Sequence, residues 1–309
     1  MTGYVYKEEY LNHDMGLGHP ESTSRLKAIN KKINSFVSKN ELKLLNDKVT
    51  DKEVEESIGL IHSKNHINSI KSTSTVYVPA FLAVKGVLNA VKAVMEGDVQ
   101  NAFCAVRPPG HHAHNNGLHY DGFNQGEGFC FFNNVAIAAR YAQHDKNINN
   151  ILILDWDYHH GNGTEWSFYE DNRVFYFSTH NLYTYPGTGH PDRFGTGNGY
   201  GYNLNEPLSP YAGDQEIISA WENKLLPKLD ELKFKPDFVF ISAGFDSREN
   251  DYLGSFKITD SGYKKLTEIA LTITEKHGNG RLVSVLEGGY NPEGTANAVE
   301  AHLEVLVKN

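Results

Sequence analysis

The 309-residue sequence has little cysteine; Cys104 and Cys130 are the only two. Two thiols make neither a disulfide framework nor a cysteine-rich metal site, and they point to a reducing compartment. Basic residues are also short, with 29 Lys and Arg against 38 Asp and Glu, a net charge of −9. A nucleic-acid binder needs a basic surface, so direct contact with nucleic acid is not expected. A local preference for cationic substrates stays open. The opening MTGYVYKEEYLNHD has no basic segment followed by an apolar run, so no signal peptide is expected. No run reaches transmembrane length. Internal repeats, low-complexity tracts and long Pro/Gly-rich linkers are missing too. These absences lead to the expectation of one globular domain over residues 1–309, cytoplasmic, with no membrane contact and an undetermined oligomeric state.

Helical periodicity is present over residues 21–36, 80–95, 133–143, 214–232, 260–276 and 292–307. Between these segments lie the short apolar runs AFCAV, ILIL, VFYF, FVFI and LVSVL. Each is apolar on both faces, as strands of a covered parallel sheet are. Strands alternating with helices indicate a doubly wound α/β fold.

Every one of those strands ends in polar residues. AFCAV leads into RPPGHH, ILIL into DWDYHHGNG, VFYF into STH, FVFI into SAGFD and LVSVL into EGGY. Ligands of open α/β sheets bind at the carboxyl ends of the strands. Gly and Asp are common in such turns for conformational reasons alone. That explanation suffices for one motif, but not for five that also gather histidines.

Asp157 and His159 stand two residues apart, so an extended chain points both to one side, and Asp155 with them. Carboxylate with imidazole suits zinc or another divalent first-row metal. A catalytic site needs about three protein ligands and one open position. Asp246 in SAGFD is the best third ligand. The alternative is that Asp155 and Asp157 only cap the next helix, which would not require His159. Adjacent His111 and His112 on a Pro-Pro-Gly turn cannot easily share one metal. They suit acid–base work near neutrality, with Asp155 and Asn162 available to orient them. Tyr290 beside two glycines could project into the site and donate to an oxyanion, or simply cover the sheet edge.

Taken as a set, RPPGHHA, GFCFFNN, DWDYHHGNGT, STH, PGTG, SAGFDSR and EGGYN resemble the zinc-dependent histone deacetylase family. The likeness is to the class II branch and its bacterial relatives, acetylpolyamine amidohydrolases among them. LGHPESTSRL extends it over nearly the whole chain. The resemblance implies the arginase–deacetylase α/β fold with a central parallel sheet of about eight strands. It implies one Zn2+ per chain, with Fe2+ as the alternative, held by Asp157, His159 and Asp246. His112 would be the base and then the acid, oriented by Asn162. His111, held by Asp155, would act electrostatically, and Tyr290 would polarise the amide carbonyl. Gly128 would accept a hydrogen bond from the substrate amide, while Phe129 and Tyr185 would flank a tunnel. A structural K+ would lie among Asp155, Asp157, His159, Ser178 and Thr179. A second would fall at Phe168, Asp171, Val174 and Tyr202. The implied reaction frees acetate from an acyl amine, on an acetylated lysine peptide or protein or on an acetylated polyamine.

Three stretches bear on substrate choice. Residues 114–127 form a loop longer than usual, carrying His114, His119, Tyr120 and Asp121; it reads as a solvated loop, with a substrate-selecting rim as the alternative. IKSTSTVYVP lacks the rim Asp with which protein deacetylases hold a peptide, and Asp121 is a substitute candidate. Leu253 falls where polyamine-specific relatives place a Glu, which favours an uncharged acyl-lysine stem, whereas GSFKIT resembles bacterial polyamine amidohydrolases. Rival readings are a binuclear arginase-type hydrolase, opposed by Gly244 where a carboxylate is needed, and a non-enzymatic reader, opposed by the intact Tyr290. A phosphate nest in GNGT or PGTG is a further rival, opposed by its spacing.

Overall fold

A computed structural model describes residues 1–116, 127–144, 147–277 and 280–309. Eight strands form one sheet: β1 Thr2–Val5, β2 Leu42–Leu44, β3 Asn101–Cys104, β4 Ile151–Asp155, β5 Val174–His180, β6 Asn203–Pro207, β7 Phe238–Ala243 and β8 Leu282–Leu286. Their order is β2-β1-β3-β8-β7-β4-β5-β6, and every neighbouring pair is parallel. Parallel sheets are covered by helices on both faces, which is why the central strands are apolar throughout. Ile151, Leu152, Ile153 and Leu154 are all fully buried. Each such side chain contributes about 1.5–3 kcal/mol relative to exposure.

The five apolar runs became β3, β4, β5, β7 and β8. The sheet's other members, β1, β2 and β6, were not expected from the sequence. Two are its edges: β2 has only three residues with two exposed, and β6 reads NLNEP with alternating burial. An edge strand has one partner and partly wet faces, so it has no reason to be uniformly apolar.

The helices follow the periodicity, with differences at their ends. The helix expected from residue 80 runs Ser74–Met95, with Pro79 inside it rather than at its first turn. It is long and apolar enough to cross a membrane by length and composition, contrary to the expectation of no such run; two thirds of that window (67%) is buried, so it serves as a core helix. The segment 214–232 is not one uniform helix. Asp214–Ala220 and Leu226–Glu231 are joined by a π turn over Trp221–Leu225. Pro227 lacks an N–H, and the wider turn just before it relieves the ladder it interrupts.

The sheet order decides where the site lies. β3, β8, β7 and β4 are neighbours in that sequence, although β4 precedes β7 and β8 along the chain. The turns carrying HH, EGGY, SAGFD and DWDYHH therefore meet at one edge.

Candidate metal centre and active site

β4 ends at Asp155, and the chain bends immediately after it. The expected extended run through His159 does not form, so Asp155 and Asp157 take separate tasks. Asp155 Oδ2 accepts from His111 Nδ1 at 3.1 Å and from the Tyr176 hydroxyl at 3.0 Å. Asp157 turns toward His159 and Asp246. Ligand atoms of these three residues lie within 4.8 Å of one another. His159 Nδ1 is 2.9 Å from Asp246 Oδ2 and 3.2 Å from Asp157 Oδ1. The remaining carboxylate oxygens are pinned by backbone donors: Tyr158 N to Asp246 Oδ1 at 2.9 Å and Gly288 N to Asp157 Oδ2 at 2.8 Å.

Two buried carboxylates and one imidazole fit a divalent first-row cation and leave a coordination position open. The charges alone are out of balance. Burial, then the neighbouring Asp157 charge, pushes Asp246 up to about 7. Burial pulls His159 down, but hydrogen bonds to Asp157 and Asp246 outweigh it and raise its pKa to about 9. The surrounding backbone is shaped to this cluster. A Cβ on Gly288 would overlap the Asp246 carboxylate, and one on Gly244 would overlap that of Asp157. The extra carboxylate of a binuclear site would therefore have no room at position 244.

The two histidines diverge electrostatically although their ring centroids are 4.0 Å apart. Burial acts against charge on His111, but the Asp157 and Asp155 carboxylates raise its pKa to about 10. Burial and the charges of His111 and His159 hold His112 well below the usual imidazole range. His112 Nδ1 donates to Asn162 Oδ1 at 2.8 Å, leaving Nε2 with its lone pair. Around this ring stand the expected tunnel residues. Tyr185 meets His112 edge-on at 5.0 Å, and Phe129 meets Tyr290 edge-on at 6.0 Å. Gly128 has φ +52 and passes so close to the His112 ring that a Cβ would collide with it. Tyr290 is buried, and burial raises its pKa well above 10. Leu253 is 41% exposed.

Of the first potassium set, the structure relates Asp155, Ser178 and Thr179. Sheet register places Ser178 opposite Asp155, and the neighbouring Thr179 hydroxyl is buried without a protein partner. In the second set, several groups already have partners. The Asp171 carboxylate is taken by Arg140 at 2.6 Å and Arg173 at 2.8 Å. The carbonyls of Phe168, Asp171 and Tyr202 each already accept a backbone N–H.

One expectation about substrate choice needs correction. The loop spanning 114–127 is not solvated at its ends: His114 and Glu127 are buried, and His114 N donates to Glu127 Oε2 at 2.6 Å. His119, Tyr120 and Asp121 lie outside the described residues. Sequence reading also missed the supporting charges. Glu287 accepts from Gly110 N at 2.6 Å and His111 N at 3.1 Å, fixing the histidine turn. Arg25 Nε donates to Gly289 O at 2.5 Å, and its guanidinium lies 5.2 Å from the Tyr290 ring centre. Each sits within a quoted motif; for Glu287 a carboxylate before two glycines at a strand end was the available signal, whereas Arg25, in the first turn of the helix Thr23–Ser38, carried none.

The histone deacetylase domain model matches residues 19–306. The chain belongs to the histone deacetylase family. A probable deacetylase of Archaeoglobus fulgidus is 38% identical over 307 residues, covering 95% of this chain and 82% of its own. Histone deacetylase 5 of Arabidopsis thaliana is 35% identical over 346 residues, covering 100% of this chain and 49% of its own. The chain thus spans about half the length of the Arabidopsis relatives it matches (49% and 48%). The crystal structure of the HDA15 HD domain superposes with TM-score 0.88 at 31% identity, covering 99% of this chain and 91% of that one. Fold and family agree: this is a histone deacetylase family hydrolase on the arginase–deacetylase fold, acting on acetylated amides.

Proposed function

We propose that the chain removes acetyl groups from the ε-amine of lysine in peptides or proteins. The observation that carries this reading is Leu253. An exposed apolar side chain occupies the gate position, and the adjacent acid, Asp251, has both carboxylate oxygens engaged by backbone N–H groups. A polyamine cation gains nothing from leucine, whereas the aliphatic stem of an acyl-lysine packs on Leu253, Phe129 and Tyr185.

Asp157, His159 and Asp246 would hold zinc, which supplies an electrophile that acidifies water and polarises the amide carbonyl. His112, uncharged and oriented by Asn162, accepts the proton of the attacking water at Nε2 and returns it to the leaving amine. The Tyr290 hydroxyl donates to the carbonyl oxygen as negative charge develops there. The Gly128 carbonyl accepts from the substrate amide N–H. His111, held charged between Asp155 and Asp157, keeps His112 from protonating early. Potassium held by Asp155, Asp157, His159, Ser178 and Thr179 would brace the loop after β4.

The test compares kcat/KM of zinc-loaded protein on an acetyl-lysine peptide and on an acetylated polyamine. A peptide preference of about tenfold or more, equivalent to about 1.4 kcal/mol, is expected. A polyamine preference would overturn the lysine reading and point to small-molecule metabolism.

A further inference from the structure

Asp251 has no role in the mechanism above, yet its carboxylate is fully used. Oδ1 accepts from Leu253 N at 2.9 Å and Gly254 N at 3.1 Å. Oδ2 accepts from Tyr290 N at 2.6 Å and Asn291 N at 3.1 Å. An ionised carboxylate has about four lone-pair sites, and all are taken by backbone donors. Two of those donors belong to the gate turn and two to the EGGYN turn that carries Tyr290. A further tie runs beside them, from Asn291 Nδ2 to Asn250 O at 2.9 Å. The gate turn in turn abuts the metal cluster, since a Cβ on Gly254 would overlap the Asp246 carbonyl.

We infer that Asp251 is a positioning residue that clamps the gate turn to the Tyr290 turn, so that the tunnel rim and the oxyanion donor hold one geometry. This rests on the deacetylase reading for Tyr290's task, but the clamp itself does not. The bonds are charge-assisted and partly shielded, which makes them stronger than neutral ones. A side chain committed in this way cannot also bind a cation or a peptide N–H at the tunnel mouth. Oriented groups lose catalytic power steeply when displaced by even about 1 Å, so loosening this clamp should act on turnover more than on binding.

Asp251→Asn keeps the size but turns one acceptor pair into a donor facing N–H groups. Amide hydrogen exchange in the full chain reads the clamp directly. The amides of Leu253, Gly254, Tyr290 and Asn291 should be protected in the parent, and protection on both turns should fall together in the variant. Parent amides exchanging as free loops, or loss confined to one turn, would overturn the inference. A double-mutant cycle with Tyr290→Phe reads the consequence. On an acetyl-lysine peptide, Asp251→Asn should lower kcat about tenfold or more with KM nearly unchanged, and by less than about twofold when Tyr290 is already Phe. Equal losses in both backgrounds would mean Asp251 does not act through Tyr290. A parent that turns over neither acetylated substrate would sink the deacetylase reading, while the exchange result would still decide the clamp.

Discussion

Two clusters of buried charge lie near the carboxyl edge of the sheet, and they solve the burial problem in opposite ways. Glu21 is enclosed by Arg25 and Arg107, with bonds of 3.0 Å from Arg25 Nη1 and of 2.5 and 2.6 Å from Arg107. The spare guanidinium donors reach the carbonyls of Tyr10, His13, Glu21 and Gly289. Burial alone would raise Glu21, but the Arg107 bonds and charges reverse it and lower its pKa. That cluster is internally satisfied. The Asp157–His159–Asp246 cluster buries its carboxylates as completely, leaves His159 partly exposed, and sets two carboxylates against one imidazole, so that Asp246 is forced up. The difference teaches how to tell a structural ion network from a cation site: the first has more donors than it needs, and the second lacks positive charge that only a ligand can supply.

The largest expected effect tests the structural member. Glu21→Gln leaves two guanidinium groups buried without an anion and should cost about 3–5 kcal/mol in denaturant unfolding. Asp246→Asn in the metal-free chain removes an unbalanced charge and should unfold no more readily than the parent. Similar losses in both variants would erase the distinction.

Next comes loss of function with the metal restored. Asp246→Ala should lower turnover by a factor on the order of 10³ or more, several kcal/mol of lost charge stabilisation. Metal analysis should fall from one ion per chain to none, and the thermal shift on adding zinc should disappear. Two transition ions in the parent would revive the binuclear alternative.

The smallest effect is one of pH. Asp246 goes from an ordinary 3.8 to about 7 in the metal-free fold. Between those values unfolding releases a proton, so this group removes stability as pH rises from about 4 to 7. Glu21 is lowered from 4.5, so its contribution is present above that value and is lost as pH falls. The raised His159 acts in the same direction but only above about pH 6.5, and the lowered Asp157 acts below about pH 4, so the window from 4 to 6.5 belongs to Asp246. The melting difference between the parent and Asp246→Asn should therefore change between pH 4 and 7, while that between the parent and Glu21→Gln should shrink toward acid. A flat first difference would mean the two carboxylates do not share one buried field.

Much of the candidate site could be read without coordinates, because its residues sit in short motifs directly after apolar strands. DWDYHH, RPPGHH, SAGFD and EGGY each announce themselves by polar groups where a buried strand stops. The supports were harder to see. Glu287 and Asp251 act through hydrogen bonds to backbone N–H groups of other segments, and nothing in a side chain's identity reveals which backbone it will meet. The edge strands escaped notice for a related reason, since a half-solvated strand leaves no uniform apolar run.

The sequence by itself determined the strand and helix types, the chemistry at each strand end, and the separation of Asp157 from His159. Those are local properties, set by periodicity and by residue type. Only the tertiary structure decided that β8 and β7 lie between β3 and β4, and so that four turns distant in the chain share one centre. The physical reason is that strand order follows from how helices pack across both faces of a parallel sheet. It likewise decided that Asp155 serves His111 while Asp157 serves the metal cluster, because the chain bends where its neighbours leave room.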